Sequence, residues 1–359
     1  MEARPDLLPI AAVGGPKHPS RPTADPLPAR ARYGQQGVGA EPVGGPSPIP
    51  SPSTRNPQIV KVLEAEELGK RADYSRPHTL HCGPEGLYIS CLGGYQSDGP
   101  GGIALMDHDS FDVLGRWEVD RGPSYYGYDI GWHLAQDTAI TSEWGTPSMI
   151  ENGLVPELLL GKKYGRNLHV WDLRKRRHLQ TLELPEEHQI TLEMRPAHDP
   201  TKAYGFVNNV ISVADLSSSV WASVDDRFLY VSCWGTGELR QYDVSDPPAP
   251  KLIDSTRVGG IATRSPHPSD PGTPRNGGPQ MVEVSRDGRR VYVSNSLYGA
   301  WDPQFYPDGI NPWIAKLDVG ADGGLAIDDR FFPTDFDGRR AHQVRLEGGD
   351  ASSDTYCYP

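Results

Sequence analysis

One ten-residue segment occurs twice, and it constrains the fold more than any other feature of the chain. Ser223-Val-Asp-Asp-Arg-Phe-Leu-Tyr-Val-Ser and Ser285-Arg-Asp-Gly-Arg-Arg-Val-Tyr-Val-Ser each place an Asp-Asp or Asp-Gly turn before an apolar strand ending in Val-Ser. A second motif recurs as Leu168-His-Val-Trp-Asp-Leu, Leu239-Arg-Gln-Tyr-Asp-Val and Ile314-Ala-Lys-Leu-Asp-Val. In each, side chains alternate between two faces before an Asp, the pattern of a half-buried antiparallel strand that ends in a turn. Strand, turn, strand, Asp-turn, strand is the plan of one propeller blade. The reading is therefore all-β, a β-propeller. At roughly 40–50 residues per blade, residues 58–359 have room for six or seven blades. The same turns also suit a β-sandwich or a β-helix. Helical periodicity is nearly absent; Ala65 to Arg71 amounts to a helical turn or two.

The chain divides near Gln58. Residues 1–57 contain 13 of the 35 prolines and show no periodicity of 2 or 3.6, so this segment is expected to be disordered. Residues 58–359 are expected to form the propeller. Leu7 to Val13 is apolar, but Glu2 and Asp6 precede it and Pro9 interrupts it. It does not read as a signal peptide, and the compartment is left open.

Charge excludes some partners. With 35 basic and 47 acidic residues the net charge is −12, which disfavours nucleic acid and anionic membrane as main partners. No apolar run reaches the roughly 18 residues that a membrane span needs. Four cysteines (Cys82, Cys91, Cys233, Cys357) without a CxxC pair provide neither a disulfide scaffold nor a zinc knuckle. GxSxG, GxGxxG, Walker and HExxH motifs are absent, so hydrolase and nucleotide chemistries have no support.

The histidines carry the chemical signal. His78 and His81 stand in Arg76-Pro-His-Thr-Leu-His-Cys82, which places two imidazoles and a thiol within seven residues. Imidazole with thiolate suits copper, zinc or iron, and ordinary loop histidines are the plainer alternative. His198 in Arg195-Pro-Ala-His-Asp-Pro200 and His342 in Arg340-Ala-His-Gln are further candidates, and His133 a weaker one. His18, His178, His188 and His267 read as solvated surface, and His108 and His169 as structural. Among carboxylates, Glu143 and Asp129 lie beside aromatic residues, a setting for acid–base work. The same residue types also tie loops between blades. The turn-rich tail from Gly348 to Asp354 would bind an anion or close the ring equally well.

Long blocks in the same order give the chain a resemblance to the selenium-binding protein family. They include HTLHCGPEGLYISCLG (78–93), GGIALMDHDSFDVLGRWE (101–118), ITSEWGTP (140–147), LEMRPAHDP (192–200), DDRFLYVSCWGTGELRQYDVSDP (225–247) and AHQVRLEGGDASSD (341–354). The resemblance implies a seven-bladed propeller that oxidises methanethiol with oxygen and water to formaldehyde, hydrogen sulfide and hydrogen peroxide. It implies copper held by His78, His81, His198 and His342; on that reading a nearby carboxylate such as Glu143 takes the methyl proton. Cys82 becomes the thiol candidate for selenium. Two departures stand out. The family's Leu-His-His-Ser-Gly-Trp-Asn block has no counterpart in residues 1–57, and a stretch is missing near Val220 to Asp225. The recognisable part is five to six blades' worth, an incomplete ring. The alternative readings are a non-catalytic selenium- or thiol-binding protein acting through Cys82 and an inactive, truncated remnant.

Overall fold

The computed structural model describes residues 8–10, 47–50, 59–211, 217–295, 298–336 and 340–342. The Gly348–Asp354 tail and Cys357 lie outside them. So does most of the 1–57 segment expected to be disordered, of which Leu8–Ile10 and Ser47–Pro50 are described, both as strands.

The repeated decapeptide forms the same turn in both places. Ser223 and Ser285 each donate from Oγ to the Asp two residues on, at 2.5 and 2.6 Å. That Asp accepts the backbone N–H of Arg227 or Arg289, while the serine Oγ accepts from Phe228 N or Arg290 N. The fourth residue is left-handed in both copies, Asp226 at φ 56° and Gly288 at φ 69°. Asp tolerates that region and Gly has no Cβ to oppose it, which is why Asp-Asp and Asp-Gly interchange here. Nothing stands within 4 Å of a Cβ built on Gly288, so only backbone strain opposes a side chain there. Gly288→Ala should accordingly lower stability by about 1 kcal/mol, read as a lower urea midpoint at unchanged slope.

Five sheets of blade type follow one another along the chain. Blade one comprises Tyr74–Cys82, Leu87–Gly94, Gly102–Met106 and Val113–Arg116, and blade two Ile130–His133, Thr138–Ser142, Asn167–Asp172 and Arg177–Glu183. Blade four comprises Ser217–Ala222, Phe228–Cys233, Glu238–Asp243 and Lys251–Arg257. Blade five comprises Pro279–Val284, Arg290–Asn295, Ile314–Val319 and Leu325–Ile327. All four are antiparallel meanders in chain order. Blade three is short: Gln189–Pro196 and Gly205–Ile211 are its own, and Leu8–Ile10 pairs along the outer edge. The all-β propeller expectation is met in these sheets. The seven blades implied by resemblance are not reached among the described residues.

Neighbouring blades stack through their apolar faces. Tyr88, Ile103 and Trp117 of blade one meet Ile130, Trp132 and Trp171 of blade two. Met194 and Val207 of blade three pack on Leu168, while Phe206 packs against Val220, Leu229 and Val231 of blade four. Trp221, Tyr230 and Leu239 join Val282, Val291 and Leu317 of blade five. Strands buried on both faces read as continuous apolar runs, and Leu87–Gly94 is buried at every position. The helix Ala65–Ala72 is the two turns expected at Ala65 to Arg71. It places Leu68 and Ala72 against blade one, with acidic Glu66 and Glu67 first and basic Lys70 and Arg71 last, matching the helix dipole.

Candidate active site

The inner strands of the first four blades bring buried polar groups together. In blade one the register with Leu87–Gly94 shifts between Pro77 and Leu80, a bulge that contains His78 and Thr79. Such a bulge re-aims a side chain relative to plain alternation. Thr79 is pinned by its N–H and Oγ1 to Ser90 Oγ, at 2.9 and 2.7 Å, and Ser90 Oγ donates to the Tyr128 carbonyl at 2.5 Å.

His81 is buried, with Nε2 2.7 Å from Asp129 Oδ1. Asp129 leads into the inner strand of blade two, and its Oδ2 lies 3.5 Å from Arg195 Nη1 on blade three. Arg195 reaches back to Glu193 at 3.2 Å and lies 4.2 Å over the Trp221 ring of blade four. Burial alone would raise the Asp129 pKa, but the charges of His81 and Arg195 with their hydrogen bonds hold it down at about 2.

His78 sits against aromatic rings, 4.3 Å from Tyr128 and 6.0 Å from Trp144. Its Nδ1 is buried without a hydrogen-bond partner. Burial pushes its pKa down to about 4, against the pull of Asp129 and with the push of His342 and His81. Near neutral pH the ring is therefore uncharged, with one N–H and one lone pair. His342 belongs to the segment returning after blade five, where its carbonyl accepts from Ser294 Oγ at 2.6 Å.

An aromatic wall continues outward from His78. Trp144 lies 5.1 Å from Tyr298 and 5.4 Å from Trp301, in edge contacts. The segment around Trp301 comes from blade five and docks on blade two. There Trp301 Nε1 donates to the Ile150 carbonyl at 2.9 Å, and Gln304 exchanges hydrogen bonds with the backbone of Leu154. Arg340, two residues before His342, pairs with buried Asp302 in the same segment.

Thus three of the four histidines expected as ligands, His78, His81 and His342, share one electrostatic neighbourhood with Asp129. His198 is held by the turn of blade four: its backbone N–H and its Nδ1 meet Asp226 Oδ1 at 2.7 and 3.0 Å, which fastens the blade-three loop there. Glu143 is buried and hydrogen-bonded within blade two. Its Oε1 is 2.9 Å from His169 Nε2, and its Oε2 accepts the backbone N–H groups of Arg166 and Asn167. His169 Nδ1 in turn lies 3.2 Å from His178 Nε2. Cys82 faces away from His81: it packs with Leu80 against the apolar cluster under the helix. His133 lines a small apolar pocket between blades two and three. Three histidines read as surface are corrected by the structure. His188 and His267 are buried, the latter stacked 3.8 Å over Phe332, and His178 is half-buried against Trp171. Proline and charge nearby mislead, since blade stacking covers loops as well as strands. Glu193 and Arg195 were not legible as site residues; their signal is two charges alternating on an otherwise apolar inner strand.

Among the described residues, no group of three or more His, Cys, Asp or Glu side chains is arranged to hold a metal ion. The donor chemistry nevertheless fits one: a neutral buried imidazole with an unpartnered nitrogen, a second imidazole paired with a carboxylate, and a third whose charge acts on the first.

Fold and site together define a propeller protein with an imidazole–carboxylate cluster on its inner strands. The chain belongs to the 56kDa selenium binding protein (SBP56) family, whose model matches residues 50–222 and 213–357. The two matched stretches overlap at residues 213–222, which include the first strand of blade four. The chain is similar to methanethiol oxidase of Bos taurus, with 35% identity over 84% of this chain and 76% of that protein. Selenium-binding protein 2 of Mus musculus is 33% identical with the same coverage. The crystal structure of a hypothetical selenium-binding protein from Sulfolobus tokodaii superposes with a TM-score of 0.82 at 45% identity, covering 88% of this chain and 78% of that one. No helix among the described residues is long and apolar enough to cross a membrane.

Proposed function

We propose that this chain is a thiol oxidase of the methanethiol oxidase type, with copper held by His78, His81 and His342. The observation that carries the reading is His78: a buried, neutral imidazole with an unpartnered Nδ1, beside two more imidazoles, in a family whose members include methanethiol oxidases. The proposed reaction balances as methanethiol plus oxygen plus water giving formaldehyde, hydrogen sulfide and hydrogen peroxide. Copper, when bound, supplies the one-electron chemistry between thiol sulfur and oxygen. The chain's own residues do the rest. Tyr128, Trp144, Tyr298 and Trp301 give a small methyl group an apolar wall and keep bulk water from the imidazoles. Asp129 is the carboxylate of this cluster, and it stays ionised at physiological pH because His81 and Arg195 hold it so. Glu143 serves the fold of blade two. His198 and Cys82 are left outside the proposed ligand set, since the charges that act on His78 are those of Asp129, His342 and His81.

The test is product stoichiometry. Copper-loaded protein should consume methanethiol and oxygen one for one and yield the three products in equal amounts, and chelator-treated protein should do neither. Equal turnover after complete copper removal would defeat the reading.

A further inference from the structure

Three donor atoms meet on the outer half of blade two, away from the inner strands. His169 lies on the strand Asn167–Asp172, and Thr181 sits directly opposite it on the outermost strand, Arg177–Glu183. His178 comes three residues before Thr181, so plain alternation would send the two side chains to opposite faces of the sheet. The register shift between Val170 and Trp171 leaves Leu179 as an extra residue, and this bulge brings His178 round to the face of Thr181. His169 Nδ1, His178 Nε2 and Thr181 Oγ1 then stand 3.2 Å apart in all three pairs. The His178 ring fits there because residue 122 is a glycine: a Cβ on Gly122 would stand 2.6 Å from His178 Cγ.

Hydrogen bonding accounts for only part of this triangle. Glu143 Oε1 lies 2.9 Å from His169 Nε2, and Glu143 Oε2 accepts the backbone N–H groups of Arg166 and Asn167. In a neutral His169 whose single N–H faces that carboxylate, Nδ1 is a lone pair. The three edges then share at most two protons, one from Thr181 and one from His178, so at least one edge carries none. Ligand atoms about 2.0–2.1 Å from a tetrahedral zinc stand about 3.3–3.4 Å apart, whereas neighbouring ligands about 2.0 Å from a square-planar copper(II) stand about 2.8 Å apart. The 3.2 Å triangle matches the first spacing. Carboxylate, imidazole and metal in series is also the arrangement that orients a ligand ring and raises its basicity. Glu143 stands behind His169 and does not face the triangle, so the third ligand is a hydroxyl. His178 is half-buried, which gives an ion a way in. Burial and the neighbouring His169 lower the His178 pKa against the pull of Asp120, which favours the neutral ring that a metal takes.

We propose that His169, His178 and Thr181 form a zinc site on the outer rim of blade two, with water as fourth ligand and Glu143 as the positioning residue that holds the His169 ring. The ion ties the outermost strand of the blade to its neighbour. The site stands independently of the copper reading.

The experiment titrates metal-free, full-length protein with zinc sulfate by calorimetry, in the parent and in His178→Ala, Thr181→Val and Glu143→Gln. Zinc taken up by the inner imidazoles would be common to all four proteins, so the differences between them report the rim. The parent should bind one zinc per chain more than His178→Ala. Glu143→Gln should bind that ion about 10–100-fold more weakly, and Thr181→Val should also bind it more weakly than the parent. Zinc should raise the melting temperature of the parent and leave that of His178→Ala unmoved, since binding to the folded state alone stabilises it. Where His178→Ala does not fold, Thr181→Val decides, because it keeps the shape and the strand preference of threonine. No zinc in the parent, or equal stoichiometry and affinity in parent and folded variants, would overturn the proposal. So would loss of zinc in His178→Ala with parent-like affinity in both other variants, the pattern of an adventitious ion on one exposed histidine.

Discussion

Replacing His78 with alanine should abolish methanethiol consumption while the propeller stays folded. The expectation follows from where the side chain makes its bonds. Nδ1 has no hydrogen-bond partner, so removing it leaves no protein group stranded on that side. Rings of Tyr128 and Trp144 flank the imidazole, and both are anchored by further aromatic contacts that do not involve His78. The loss of fold stability is therefore small beside the loss of function. Substitutions of outer-shell partners of metal ligands already cost about 10–100-fold, so loss of a ligand should cost at least about 100-fold in kcat/KM. Oxygen uptake with methanethiol measures the activity, and the near-ultraviolet circular dichroism of the many buried tryptophans measures the fold. A folded variant with parent-level turnover would remove His78 from the site. His81→Ala is the less clean substitution, because it strands a buried Asp129 carboxylate beside Arg195.

The second large effect falls on stability. Trp301 is 2% exposed and packs on Trp144 and Tyr164, with its indole N–H on the Ile150 carbonyl. It is the main bolt between the blade-five segment and blade two. Deleting a buried indole of this kind costs about 3–5 kcal/mol, from lost burial and the cavity left behind. Trp301→Ala should lower the urea midpoint by a corresponding amount, and Trp301→Phe, which keeps an aromatic ring and loses the N–H, by clearly less. Because the same segment walls His78, turnover of Trp301→Ala should fall even under conditions where the variant is fully folded. An unchanged urea midpoint would show that the segment does not bridge the blades.

How much of this was legible in the sequence varies by element. The repeated decapeptide specified its turn down to single hydrogen bonds, because Ser, Asp and a left-handed fourth residue are local chemistry. Blade three shows the limit. Among the described residues it has two strands of its own, and the strand Leu8–Ile10 that pairs along its edge lies nearly two hundred residues away in sequence. In the site, His78, His81 and Asp129 stood out by their blocks and neighbours. That His81 meets Asp129, and that Arg195 meets both Asp129 and Trp221, depends on which inner strands are adjacent, a long-range fact with no local signature. His198 stood out by its block and Glu143 by its aromatic neighbours; that they meet Asp226 and His169 is a long-range fact of the same kind.

The central claim is that the imidazoles on the inner strands hold copper. Elemental analysis of protein purified from copper-supplemented cells, in the parent and in His78→Ala, tests it most directly. The account predicts about one tightly held copper per parent chain, as three imidazoles suit one ion, and next to none in the folded variant. No copper in the parent, or equal copper in both, would contradict it.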